Sequence, residues 1–285
     1  MGGLFSGASK ARSCCGMDSI KYFDDRIYPR VFPAPSVNKK KMESLGASDE
    51  DKRTTMRMIK SGLSELNIST VAIAPKNNLL DKYVIFSHGN GSDIELNYQW
   101  QKYFCDRFGV HIISYDYPSY GFTDGRANES KCVECLSAVV SFVESFVKRE
   151  NIILMGHSLG TGVVIDYVSQ QKWRNPIILV APYKSIPRVI LDSSFADCLI
   201  KNYKLGSIYK INQIICPVKI IHGEADTLIL VSHGKEIYDK LVDKSLRPVW
   251  VKDAGHNDIL EMLPERDIME VLAYGGAAAP ITSAM

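Results

Sequence analysis

No apolar run in this 285-residue chain is long enough to cross a bilayer. The first residues lack the continuous apolar core of a secretory signal, so a cleaved leader is not expected. Charge is nearly balanced. Against 34 Lys and Arg stand 32 Asp and Glu, and a formal net charge of +2 is too small to argue for nucleic acid as a partner. The seven cysteines are odd in number, and no His/Cys cluster has metal-ligand spacing. Cys132 and Cys135 form a C-x-x-C inside a helix-like stretch, whereas a redox pair would sit at a helix start, so both read as packing residues. The expectation is a reducing, intracellular setting with no metal and no other cofactor. No internal repeat is present. At this length the chain can bury a large core as one domain plus tails.

What is there is an alternation of strand and helix patterns. Short, near-continuous apolar runs predict strands at 70–74, 83–87, 111–115, 152–155, 176–180, 218–221 and 248–251. Helical stretches are expected at 94–108, 129–148, 160–171 and 231–241. Such alternation argues for an α/β fold with a mostly parallel sheet covered by helices on both faces. Residues 1–64 lack sustained periodicity and hold Pro29, Pro33 and Pro35, which predicts tail and linker, with the charge-rich 43–57 as a solvated turn or short helix. The catalytic domain is expected over 65–274. Within it, 183–215 breaks the alternation and reads as a lid-like insert, and 275–285 reads as a frayed tail.

The most informative stretch is Gly156-His157-Ser158-Leu159-Gly160, which follows an apolar strand run and precedes a helical one. Strand, Gly-x-Ser-x-Gly, then helix is the pattern of a nucleophile elbow in an α/β-hydrolase fold. Ser158 must stand on a sharp turn with strained backbone angles, and the flanking glycines leave room for it. The helix that starts there points its N–H groups at the reacting centre.

A serine hydroxyl needs a base near neutrality and a carboxylate to hold that base. Asp226 stands after the 218–221 strand and His256 after the 248–251 strand, so the candidates run in the order Ser158, Asp226, His256. That is the order of this fold. Glu224 is the alternative acid, and Asp253 or Asp258 read as capping or solvated residues. His88, His111, His222 and His233 read as structural. An oxyanion hole is expected from the backbone N–H of Leu159, after the nucleophile, and from Asn90 in the loop after the 83–87 strand, with Gly91 as the neighbouring possibility.

Several blocks together resemble the membrane-associated hydrolases grouped as alpha/beta hydrolase domain-containing protein 17, the protein depalmitoylases. The blocks are Phe86-Ser87-His88-Gly89-Asn90, then Tyr115-Asp116-Tyr117-Pro118-Ser119-Tyr120-Gly121 with Asp124-Gly125, the elbow through Gly162, and Cys216-Pro217-Val218 through His222-Gly223 and Asp226. Ser232-His233-Gly234 and Gly255-His256-Asn257-Asp258-Ile259 complete the set, and the likeness covers roughly residues 65 to 270. The resemblance implies a serine hydrolase that removes palmitoyl thioesters from S-acylated membrane proteins. Two departures stand out. That group's N-terminus carries a cluster of cysteines, where this chain has the adjacent pair Cys14-Cys15, and the insert after Pro182 is short and charged.

Met1-Gly2-Gly3-Leu4-Phe5-Ser6 fits the myristoylation pattern, with Gly2 as the acceptor. One myristoyl chain binds membranes only marginally, with a constant of about 10⁴ M⁻¹, so palmitate on Cys14 or Cys15 would supply the second signal. The expected address is the cytoplasmic face of membranes, peripheral and lipid-anchored, with the bilayer surface and S-palmitoylated proteins as partners. A lipid esterase or lysophospholipase would use the same tether and triad. A catalytically silent hydrolase-fold binding protein is the third reading, and the intact Ser158, Asp226 and His256 oppose it.

Overall fold

Along each central strand, side chains alternate between two apolar layers. In the computed structural model, which describes residues 28–45, 47, 52–77, 80–190, 192–194, 196–199 and 205–274, eight strands form one sheet. They are β1 (Thr54–Lys60), β2 (Asn67–Ile73), β3 (Tyr83–Ser87), β4 (His111–Tyr115), β5 (Ile152–His157), β6 (Ile177–Val180), β7 (Val218–Gly223) and β8 (Val249–Val251). Their spatial order is β1-β2-β4-β3-β5-β6-β7-β8. The pairs from β4 to β8 are parallel, and β2 runs antiparallel to both of its neighbours.

Five longer helices cover the sheet: α1 (Ile94–Phe108), α2 (Glu129–Glu144), α3 (Leu159–Gln170), α4 (Val231–Asp239) and α5 (Glu265–Leu272). Ile85, Leu154, Leu179 and Ile220 face one layer with residues of α2, α3 and α4. Val84, Phe86, Ile153, Met155 and Val180 face the other with α1 and α5. Strands buried on both faces read as continuous apolar runs for this reason. Asp93 and Asn128 cap α1 and α2 by accepting the Leu96 and Lys131 N–H groups. Cys132 and Cys135 turn their thiols into the core from α2, as packing residues do. Among the described residues, no helix is long and apolar enough to cross a membrane.

The structure corrects the boundary expected at residue 64. β1 lies inside the stretch read as tail and linker, pairing Ile59 with Ile68 and Met56 with Val71. Its charges hide the strand pattern: Arg57 and Lys60 belong on an edge strand, where they deter pairing with another chain. Further upstream, Val31 and Phe32 are buried in the core, and Met42, on the short helix Lys39–Glu43, is fully buried. Residues 1–27 and 275–285, with Gly2, Cys14 and Cys15, lie outside the described residues.

The described residues of the insert do not take the place expected of a lid, since none of them lines the cleft at Ser158. They form short helices at Ile186–Ile190, Ala196–Leu199 and Ser207–Lys210. Ser207–Lys210 packs beside α3, and Ile186–Ile190 packs against Ala196–Leu199. A methyl group on Gly162 would come within 2.1 Å of the Tyr183 hydroxyl, Lys210 pairs with Asp166 at 2.7 Å, and the Leu205 N–H donates to Glu129. The apolar side chains of Tyr183, Leu205, Ile208 and Ile211 find cover there, in the same layer as α2 and α3.

Candidate active site

The parallel strands deliver their C-terminal ends to one edge of the sheet, and the candidate residues collect there. Ser158 follows β5 directly and has φ 50° and ψ −117°. The turn is held from both sides: the Ser158 N–H donates to the Val180 carbonyl, and the Ser158 carbonyl accepts from the N–H and hydroxyl of Thr161. Two glycines are required by close approach. A methyl group at Gly156 would lie 2.5 Å from the Gly160 carbonyl oxygen, and one at Gly160 would lie 2.0 Å from that of Ser87.

His256 reaches Ser158 from the loop after β8. Its Nε2 is 3.0 Å from Ser158 Oγ, and its Nδ1 is 2.7 Å from Asp226 Oδ2. The carboxylate fixes Nδ1 as the protonated nitrogen and leaves the Nε2 lone pair for the serine hydroxyl. Asp226 Oδ1 accepts the Leu228 and Ile229 N–H groups at 2.9 and 2.8 Å, so neither carboxylate oxygen is free to turn. Burial alone would raise its pKa, but hydrogen bonds from His222, His256 and the Ile229 N–H hold it well below the usual carboxylate range. Asp226 is 3% exposed, whereas Glu224 is exposed to solvent, and it is Asp226 that meets His256. Asp258 accepts the Gly255 N–H and so closes the loop that carries His256.

The loop after β3 forms the opposite wall. Asn90 is clamped through its side chain: Nδ2 donates to the Val31 carbonyl at 2.8 Å, and Oδ1 accepts the Tyr120 hydroxyl at 2.7 Å. Neither the Asn90 nor the Leu159 backbone N–H finds an acceptor among the described residues. Both are therefore available to a ligand oxygen. An open cleft of about 280 Å³ lies between these walls, lined by Asn90, Asn97, Ser158, Leu228, His256 and Leu260. No described residue of the insert lines it.

Behind the wall sits a buried polar knot. Asp116 accepts from the Ser69 hydroxyl and the Ile94 N–H, and lies 3.7 Å from His88 Nε2. Burial pushes Asp116 up to about 7 and His88 down to about 4. His111 stacks on Tyr83, and the His233 Nδ1 accepts the Lys184 N–H, so both serve packing. His222 does more than its position in the sequence indicated. Its Nε2 is 2.7 Å from the Ile229 carbonyl and 3.5 Å from Asp226 Oδ2, bracing the loop of the acid. The bracing roles of His222 and Val31 have no periodic or spacing signature.

The family model for the alpha/beta hydrolase family matches residues 84–206. A putative alpha/beta hydrolase of Acanthamoeba polyphaga mimivirus is 45% identical over 213 residues, covering 73% of this chain and 80% of that protein. The human alpha/beta hydrolase domain-containing protein 17C is 35% identical over 181 residues, covering 62% of this chain and 53% of that protein. The chain thus spans about half the length of the 17C relatives it matches. Among solved structures, an esterase of Pyrococcus furiosus matches with a TM-score of 0.60 at 21% identity, covering 77% of this chain and 89% of that one. The 2,6-dihydroxy-pseudo-oxynicotine hydrolase matches with a TM-score of 0.62 at 18% identity, covering 80% and 70%. Likeness at that level carries the fold alone, since this fold hosts many chemistries. The sheet order, the elbow and the mimivirus relative converge on one assignment: the chain belongs to the alpha/beta hydrolase family, and within it is similar to the domain-containing protein 17 members.

Proposed function

We propose that the protein is a membrane-tethered serine hydrolase that removes palmitoyl thioesters from S-acylated proteins. The observation that carries the reading is the unbroken hydrogen-bonded relay from Asp226 through His256 to Ser158 on its elbow. Ser158 Oγ attacks the thioester carbonyl while His256 Nε2 takes its proton. Asp226 stabilises the imidazolium. The Asn90 and Leu159 N–H groups hold the oxyanion. Collapse of the intermediate expels the cysteine sulfur, which receives the proton from His256, and leaves palmitate esterified to Ser158. His256 then deprotonates a water that attacks this ester. Palmitic acid departs, and Ser158 regains its proton.

Support for the substrate class is of two kinds. The domain-containing protein 17 resemblance points to acylated proteins, and the Gly2, Cys14 and Cys15 pattern would bring the enzyme to the surface that holds them. Leu228, which lines the cleft and is 58% exposed, offers an acyl chain an apolar contact there. The test is a fluorophosphonate probe followed by competition. Labelling that Ser158→Ala abolishes is expected, and its absence in the wild type would favour the silent binding protein. Palmitoyl-protein should then compete for labelling better than lysophospholipid or monoacylglycerol. The opposite ranking would make the protein a lipid esterase.

A further inference from the structure

We propose that His157 is a positioning residue that sets the spacing between the His256 loop and the oxyanion loop around Ser158. The inference rests on the serine-hydrolase reading above. His157 occupies the variable position of the elbow, where sequence patterns assign no role. Its side chain nevertheless meets both other walls of the site. Nε2 lies 3.3 Å from the His256 carbonyl oxygen, so the tautomer with hydrogen on Nε2 donates there. No other group among the described residues donates to that carbonyl. The two imidazole rings lie 5.3 Å apart at 32°. On the opposite flank is Gly89, next to Asn90: a methyl group on Gly89 would come within 2.9 Å of His157 Nδ1.

One ring therefore touches the oxyanion loop and the base loop, and its backbone continues into the nucleophile. Among the described residues no hydrogen bond joins the two loops directly, and the ring stands between them as a spacer. Its charge state suits the task. Burial, with the neighbouring His256 next in weight, pushes His157 down to about 3. It stays neutral when His256 becomes an imidazolium, and it keeps one N–H for the carbonyl. A cation at this place would oppose the charge that forms during turnover.

The test separates donor from bulk. His157→Gln keeps an N–H donor at nearly the same reach, His157→Asn pulls it back by one methylene, and His157→Phe keeps the ring without a donor. The readouts are kcat and KM on a soluble p-nitrophenyl ester, the rate of fluorophosphonate labelling, and the melting temperature. His157→Phe and His157→Asn should lower kcat and labelling by about 10-fold or more with KM within about twofold, as expected when reacting groups are misplaced by a fraction of an ångström. His157→Gln should stay within about threefold of the wild type. Equal losses in the Gln and Asn variants, or a wild-type kcat in a folded Phe variant, would overturn the positioning role. A wild type that the probe does not label would overturn the reading of Ser158, and this inference with it.

Discussion

A single methyl group at Gly160 tests whether the oxyanion geometry depends on the contact between α3 and β3. Built on the observed backbone, that methyl lies 2.0 Å from the Ser87 carbonyl oxygen and 2.9 Å from the His88 carbonyl oxygen. Both neighbours are backbone, which cannot rotate away as a side chain can. The N-terminus of α3 and the end of β3 must then part by more than about 1 Å, because interiors are close-packed and little slack exists. Those two segments carry the candidate oxyanion donors, Leu159 on one and Asn90 on the other. Overpacking of this kind costs about 1–3 kcal/mol of stability. Loss of one oxyanion donor costs about 2.7–4 kcal/mol of transition-state binding, a factor of about 10²–10³ in kcat. Gly160→Ala should therefore melt several degrees lower and turn over a p-nitrophenyl ester about 100-fold more slowly. Gly62→Ala is the control, since nothing lies within 4 Å of its added methyl. A folded Gly160→Ala protein with wild-type kcat would refute the argument that this approach builds the hole.

Ser158→Ala and His256→Ala should each reduce ester turnover about 10³-fold or more; a loss below about 10-fold in steady-state assays would break the proposed relay. Asp226→Asn should cost more kcat than Glu224→Gln, because Asp226 is buried on His256 Nδ1 and Glu224 faces solvent; the reverse ranking would reassign the acid. In urea unfolding across pH, Asp116→Asn should gain on the wild type as pH rises from about 4 to about 7. The folded protein keeps a proton on Asp116 up to about 7, while an unfolded aspartate has lost it above about 4. Lowered His88, His157 and His233 act with the opposite sign over part of that range, so the difference between the two proteins is the quantity to measure; a difference that does not change with pH would mean Asp116 is ionised in the fold. For the address, Gly2→Ala should move the protein to the soluble fraction, and the Cys14→Ser, Cys15→Ser pair should leave only transient binding near 10⁴ M⁻¹; full membrane retention of Gly2→Ala would remove the dual-acylation reading.

What could be read in advance follows a physical division. The central strands and the order Ser158, Asp226, His256 were legible because each depends on its own local stretch: an apolar run buried on both faces, then a polar residue at its C-terminal end. β1 was missed because Arg57 and Lys60, which suit an edge, break the apolar alternation that marks a strand. α5 was missed although its amphipathic face is clear, for its first turn has no side-chain cap and follows Pro264. Its place is fixed from far away by Lys219, a fully buried lysine that pairs with Asp267 and Glu270 at 2.9 and 2.6 Å. On the strand, that lysine reads only as an interruption. The proline-rich stretch near residue 33 read as linker, yet its Val31 carbonyl holds Asn90 across 59 residues of sequence. The same asymmetry governs the site. Chemistry that needs a particular side chain leaves a trace in residue type and order. Support that uses a backbone carbonyl leaves none, because every residue carries one. The candidate nucleophile, base and acid are thus readable from the chain, whereas the contacts of Val31, His157 and His222 that hold them in register emerge only when the strands are brought side by side.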